Sequence, residues 1–421
     1  MDKETNITFW PFFMMLLLFL GQNVLDVLNY PQSDPASGAL YRLHPATYML
    51  FVLWAIQNIK NNTLYNVKSP SVRFFGIVVL VAFVYSITFG KSKGNFFILD
   101  TLFAPVLIVQ LLQDASEETK AKVLYWLKVF FVINCLLAIL ERGLSKLVFQ
   151  PTVEFVFDSF RSYALLGHPL NNGLVIGFLT LFFVIISETT TQKFLYLGLG
   201  LLAIFAFGAR AALAGVLIAF PFILYVDLKN YTTEIAAEKF FNYLFLFFIM
   251  MALCAFILIN TPFGERILAG SKFDDDSADA RSRVFDMFRQ FNPGELILGI
   301  PEHKILRVMY LEKVEIIENF WVVWIFKYGI IITFFLGLFL INFLFSLFNQ
   351  VRSPVRFIMV VVFFFIASGN NSLATNTTAI SIITTAAMVC FQFYSPEIAE
   401  EQTYEEEHND YLPVLPDVTT D

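Results

Sequence analysis
The sequence predicts an all-α polytopic membrane protein of about 12 transmembrane helices, and three observations carry that expectation. Hydrophobic residues make up 57% of the 421, aromatics 17% and charged residues only 15%. The mean hydropathy of +0.67 agrees. A soluble domain carries roughly 25% charged residues, so this excess of apolar surface has to face lipid. Third, apolar runs close to the ~20 residues that span a hydrocarbon core recur along the whole chain.

In order, the runs lie near residues 8 to 28, 43 to 59, 72 to 89, 96 to 112, 123 to 140 and 169 to 187. The others lie near 193 to 208, 211 to 226, 240 to 259, 319 to 348, 355 to 367 and 376 to 394. An even number of spans puts both termini on one side. The termini and even-numbered connections carry twelve basic residues, among them Lys60, Lys120, Lys193, Lys229 and Arg352. The short odd-numbered connections carry only Arg42, Lys91, Lys93 and Arg210, a bias that predicts both termini in the cytoplasm. No removable signal peptide is expected, because the first run continues past Asn23 with no small-residue cleavage site.

This reading gives a single integral membrane domain over residues 1–395, with long outer loops at 141–172 and 260–318. Residues 396–421 hold nine acids and no lysine or arginine, so the net charge of -7 belongs to that acidic, Pro-punctuated tail, which is expected to be disordered. Cys135, Cys254 and Cys390 stand in separate apolar runs, and the four histidines show no paired spacing, so neither a disulfide nor a zinc site is expected. Within the second loop, Asp276 or Ser277 is placed to cap an amphipathic helix from Ala278 to Phe291, with Val284, Phe285, Phe288 and Phe291 on one face. Asn292-Pro293-Gly294 is expected to end it. The run from Asn319 to Phe348 would measure ~45 Å as one helix against a core of ~30 Å, so its first turns must rise above the lipid or line a cavity.

Candidate functional residues cluster in those outer connections. Arg161 precedes Gly167-His168-Pro169, and Pro169 suits the first turn of a helix, which would leave His168 at a terminus that favours anions. A solvated arginine and a capping histidine are the plainer account. Arg210, in Gly208-Ala209-Arg210-Ala211-Ala212, has no acid nearby in sequence and either snorkels or binds an anion inside the bundle. Arg281, Arg283 and Arg289 follow Asp274, Asp275, Asp276 and Asp279, where local ion pairing competes with ligand binding and, more weakly, with a divalent-cation site. Glu318 and Asn319 stand at the start of the overlong run, beside Phe320 and Trp321 and ahead of Lys327-Tyr328-Gly329. A carboxylate on a rigid helix beside an aromatic ring suits a general base for a sugar hydroxyl, and helix capping is the alternative.

The order of these motifs, over about residues 150 to 340, resembles the O-antigen polymerase and O-antigen ligase family of bacterial cell-surface polysaccharide assembly. The resemblance implies a GT-C-like architecture and a metal-independent, cofactor-free inverting glycosyltransferase of the inner membrane. Its donor would be an oligosaccharide on undecaprenyl diphosphate, with membrane lipid around it, a chain-length regulator and a flippase as partners, and no nucleic acid. By that analogy Arg210 and Arg161, helped by His168 and by Arg281 or Arg283, hold the donor diphosphate. Glu318 serves as base, with Glu315 and His303 of the same loop as alternatives, and Asn319 and Trp321 stand beside the sugar. Ligases of the family carry a histidine where this chain has Glu318, so the resemblance favours a polymerase. A ligase using lipid A core and a transporter of lipid-linked sugar remain the rivals.

Overall fold
In a computed structural model of the protein, the described residues are 3–30, 43–61, 67–89, 96–150, 160–229, 233–264 and 283–393. Their regular structure is helical throughout, with no strand among them. Every apolar run named above falls on a helix. The first eight α-helices are α1 (Lys3–Phe19), α2 (Gln22–Val27), α3 (Pro45–Asn61), α4 (Pro70–Thr88), α5 (Ala104–Leu112), α6 (Glu117–Leu144), α7 (Pro169–Ile186) and α8 (Thr190–Phe207). After them come α9 (Arg210–Leu228), α10 (Thr233–Asn260), α11 (Pro293–Leu298), α12 (Glu302–Leu311), α13 (Phe320–Leu347), α14 (Ser353–Ser368) and α15 (Ala379–Cys390).

Among the described residues, seven helices are long and apolar enough to cross a membrane: α4, α6, α7, α8, α9, α10 and α13. Burial sorts them. The apolar window of α7 is 89% buried and that of α10 only 17%, so α7 is the central post and α10 a peripheral helix with exposed Phe241, Phe245 and Phe248. A helix apolar all round and buried all round belongs in the middle of a bundle. Shorter apolar helices complete it, including Phe9–Phe19, Ile98–Leu112, Ser353–Ser368 and Ala379–Cys390. At the far end of the bundle from His168, Lys193 on α8 pairs with Asp227 on α9 at 2.6 Å, and Tyr243 on α10 donates to the same Asp227 oxygen at 2.8 Å. Three helices are thereby fixed by one nearly buried ion pair.

Three apolar runs are not the single helices their composition suggests. The first breaks at Gly21, between α1 and α2, because a Cβ there would collide with the carbonyl of Leu165. The segment before α7 lies directly on that break. The fourth opens as a π-helix, Ile98–Phe103, before α5. Its wider turn holds the buried Asp100, whose two carboxylate oxygens each accept the His44 amide at 3.0 Å.

The third departure reshapes the site. A straight helix would separate Trp321 from Gly337 by ~24 Å, yet a Cβ on Gly337 would lie 2.7 Å from the Trp321 ring. The chain turns over at Gly329, where φ is 81° and ψ 166°. Residues 320–328 therefore form one arm and 330–347 a second that runs back alongside it, so the expected overlong span is a helical hairpin. Only glycine suits this turn. Its φ is left-handed, and a Cβ would meet the Ile297 carbonyl. Gly329→Ala is expected to destabilise the protein by about 2–4 kcal/mol, read as a lower thermal midpoint; an unchanged midpoint would show that the turnover is relaxed elsewhere.

The long second loop folds as a cap on this hairpin. Val284, Met287, Phe291, Ile300, Val308, Val314, Ile317, Val322 and Phe326 form a second apolar core, separate from that of the bundle. Phe288 and Phe291 close on the Phe326 ring at 4.9 and 5.1 Å between centroids. The amphipathic helix expected from Ala278 is corrected in two ways. Its described part is a helical turn at 283–286 and the 3-10 turn Met287–Gln290, and its buried positions are Val284, Met287 and Phe291, with Phe285 exposed. Its proposed caps Asp276 and Ser277 lie outside the described residues. Asn292-Pro293-Gly294 starts a helix rather than ending one: Asn292 caps α11 in a reciprocal box with Glu295, and Pro293 fills the first turn.

Candidate functional site
The site is built around the N-terminus of α7. The eight residues before it, Arg161 to His168, are held inside the protein by polar side chains from two helices. Glu141, fully buried on α6, accepts from Ser162 Oγ at 2.5 Å and from the Tyr163 and Ala164 amides at 2.9 Å through Oε2. Its Oε1 accepts from the Val148 amide at 2.9 Å. Asn134 accepts from the Leu165 amide at 3.0 Å and donates to Asn172, which in turn donates to the carbonyls of Tyr163 and His168. The neighbouring Arg142 is also buried and donates to the Phe160 carbonyl. A segment with this many satisfied backbone groups stays buried at low cost. It delivers Arg161, itself 7% exposed, to a fixed place.

Further contacts gather the other candidates at the same end. The Ser162 amide donates to the Ala206 carbonyl at 3.1 Å, tying the segment to the end of α8 just before Gly208. Ala209 abuts Gly173 in the first turns of α7, its Cβ 2.5 Å from where a Gly173 Cβ would stand, and Ala211 abuts Gly369 after α14 in the same way at 3.3 Å. Arg210, between those two alanines, is exposed at the first position of α9. The Phe320 amide donates to the Asn370 carbonyl at 3.3 Å, and Ser372 bridges Asn370 to Asn171 of α7, with Oγ 2.5 Å from the Asn171 oxygen. Glu318 and Asn319, at the base of the hairpin's first arm, are thus carried down to the α7 terminus.

His168 and Glu318 are close enough to interact electrostatically. The His168 Nδ1 accepts from the Leu170 amide at 3.3 Å, so the neutral ring carries its proton on Nε2. Burial lowers its pKa from 6.5 to about 4, and the negative charge of Glu318 only partly offsets this. His168 is therefore a neutral hydrogen-bond donor near pH 7 and not a cation. The unfolded chain binds this proton more tightly, so stability falls as pH drops through the window from 6.5 towards about 4. Thermal unfolding followed across that window is expected to show a shallower slope in His168→Asn than in the parent. The capping role comes at the expense of anion binding by backbone, because His168 itself occupies the Leu170 and Asn172 amides of the first turn.

Asn319, not Glu318, caps α13: its Oδ1 accepts from the Trp321 amide at 2.9 Å and the Val322 amide at 3.3 Å. That leaves the Glu318 carboxylate, partly exposed, outside the capping interaction. Trp321 stacks on Phe364 at 5.7 Å between centroids and donates through Nε1 to Ser368 Oγ at 3.1 Å, so its ring is largely committed to packing α13 against α14. Arg283 belongs to the cap, where its Nη1 donates to the Lys313 carbonyl at 3.4 Å. Arg289 pairs with Asp286 at 3.3 Å on the cap surface. Arg281, Asp274, Asp275, Asp276 and Asp279 lie outside the described residues. Lys327-Tyr328-Gly329 marks the turnover of the hairpin.

Beside this group is a small, partly open cleft lined by Gly21, Gln22, His44, Leu166, Asn171, Asn376, Thr377 and Thr378, with a cavity volume of about 20 Å³. Its lining is amide, hydroxyl and imidazole, with no carboxylate, lysine or arginine. No protein-family model, curated protein or solved structure matches this chain. The function is therefore argued from the geometry. That geometry sets Arg161, the neutral His168 and Glu318 at one helix terminus, with the first residue of α9, Arg210, beside it. Glu141 and Arg142 are not among the sequence-based candidates because the expected first outer loop begins at Glu141, and Asn134 is not because it lies inside the apolar run 123 to 140. The signal was a Glu-Arg pair directly continuing an apolar run, where charges are costly unless they have a task.

Proposed function
We propose that the chain is a polysaccharide repeat-unit polymerase of the bacterial inner membrane, acting on O-antigen or exopolysaccharide. In this reading the helices make twelve alternating passes in a GT-C-like arrangement, both termini are cytoplasmic, and the α7 terminus faces the periplasm. The observation that carries it is the gathering of Arg161, His168, Arg210 and Glu318 at one end of the bundle. Transfer from a lipid diphosphate requires positive charge on the leaving group and a base for the incoming hydroxyl, and these residue types supply both without a metal.

Glu318 removes the proton from the acceptor sugar hydroxyl as its oxygen attacks the anomeric carbon of the donor. The bond from that carbon to the undecaprenyl diphosphate breaks, with inversion, and the diphosphate leaves with the electron pair. Arg210 and Arg161 hold its developing charge. His168 donates from Nε2 to a diphosphate oxygen. The small uncharged cleft has room for a single hydroxyl and offers it donors and acceptors without fixed charge.

The test is chemical. Purified protein in liposomes, supplied with a defined lipid-linked repeat unit, is expected to produce a ladder of longer glycans, and Glu318→Gln is expected to abolish the ladder. Relocation across the bilayer without lengthening would replace the polymerase with a transporter. Transfer only to added lipid A core would make the protein a ligase.

A further inference from the structure
The cap at residues 283–317 exposes more large apolar side chains than a water-facing unit of that size should. Ile297, Leu298, Leu306, Tyr310, Leu311 and Ile316 are all exposed, and such groupings rimmed by polar residues mark contact surfaces. Their position points to the partner. The Tyr85 hydroxyl, near the end of α4, donates to the Leu298 carbonyl at 2.6 Å, and the Ile297 carbonyl sits against Gly329. The end of α11 is therefore level with the turnover from which α13 descends. There Ile297 and Leu298 adjoin the exposed apolar band formed by Val84 and Ile87 of α4 and by Ile330, Ile331 and Phe334 of α13.

From that border the chain reaches α12 in three residues. Ile300, in the middle of the link, is pinned by its amide to the Phe326 carbonyl at 2.6 Å. In α12, Val308 is buried in the cap, whereas His303, Leu306, Arg307 and Tyr310 are exposed. Their spacing of i, i+3, i+4 and i+7 places all four on one helical face. An aliphatic and a tyrosine side chain with an arginine between them is the composition of a helix lying in a bilayer interface.

We propose that this face of α12 docks on the phospholipid headgroups of the leaflet at the site end of the bundle. Leu306 and Tyr310 enter the interface, and the Arg307 fork binds an anionic headgroup phosphate. The cap is thus seated on lipid as well as on α13.

The test uses the full-length protein in nanodiscs of phosphatidylethanolamine and phosphatidylglycerol, with a nitroxide label on Tyr310→Cys or Leu306→Cys and, as a water-exposed reference, on Arg289→Cys. The three native cysteines are buried. Collision with a soluble nickel chelate is expected to fall about fivefold at 310 and 306 relative to 289, while collision with oxygen rises. Arg307→Gln is expected to make the label at 310 shallower in those discs and to leave it unchanged in phosphatidylcholine alone. Nickel access at 310 and 306 equal to that at 289 would overturn the proposal. So would shielding accompanied by spin–spin broadening, which would assign the face to a second copy of the chain. An Arg307→Gln response identical in both lipids would overturn the assignment to an anionic headgroup.

Discussion

Arg210→Ala is expected to reduce glycan elongation by about 10²–10³-fold, the usual cost of removing one charged stabiliser of a developing anion. The same change is expected to leave the fold intact or slightly more stable. Arg210 is the first residue of α9, where a cation opposes the helix dipole at a cost of about 0.3–1 kcal/mol. The packing of that turn is made by its neighbours, Ala209 against Gly173 and Ala211 against Gly369, and both contacts survive the substitution. Arg210→Lys should recover part of the activity, because charge returns without the planar fork. Product length on a gel, with the thermal midpoint measured in parallel, checks both halves. Polymer of normal length from Arg210→Ala would remove this residue from the diphosphate site.

Glu141→Ala is expected to have the largest effect on stability, about 3–5 kcal/mol. The buried carboxylate serves four donors, from Val148, Ser162, Tyr163 and Ala164, and alanine would leave them all unsatisfied in a cavity. The loss should be local before it is global. Amide hydrogen exchange at residues 160–168 is expected to accelerate while that of α7 stays slow, because the helix is held by its own core. Glu141→Gln keeps the shape but turns an amide NH₂ towards donors, so an intermediate effect is expected. Unchanged exchange in Glu141→Ala would mean that Asn134 and Asn172 suffice to hold the segment.

The two results separate cleanly. One variant loses chemistry and keeps its structure; the other loses the wall on which Arg161 is mounted.

The helices were legible because lipid imposes a length on apolar runs, and Pro70 and Pro169 mark true starts. What stayed hidden were the interruptions. Gly329 lies between Phe-rich stretches whose composition is the same whether the chain continues or reverses, and only its dihedrals and the approach of Trp321 to Gly337 reveal the reversal. Gly21 is invisible for the same reason, since its constraint comes from Leu165, far away in sequence. Asn292-Pro293-Gly294 was ambiguous because asparagine, proline and glycine serve both ends of helices, and Glu295 decided it through the capping box. At Glu318 the capping alternative is removed by its neighbour, because Asn319 takes the cap. On the cap, Arg289 meets the local partner that simple ion pairing offers, within its own turn.

The hairpin has a mechanical consequence. Its first arm is fastened to the cap at Ile300 and Gly299 and to the bundle floor at Asn370, with Glu318 at the lower attachment. If the proposed function holds, tilting the cap to admit a glycan from the side would pull on the same lever that holds the carboxylate. Gate and proton acceptor would then be one moving part, aligned for reaction only when the entrance is shut.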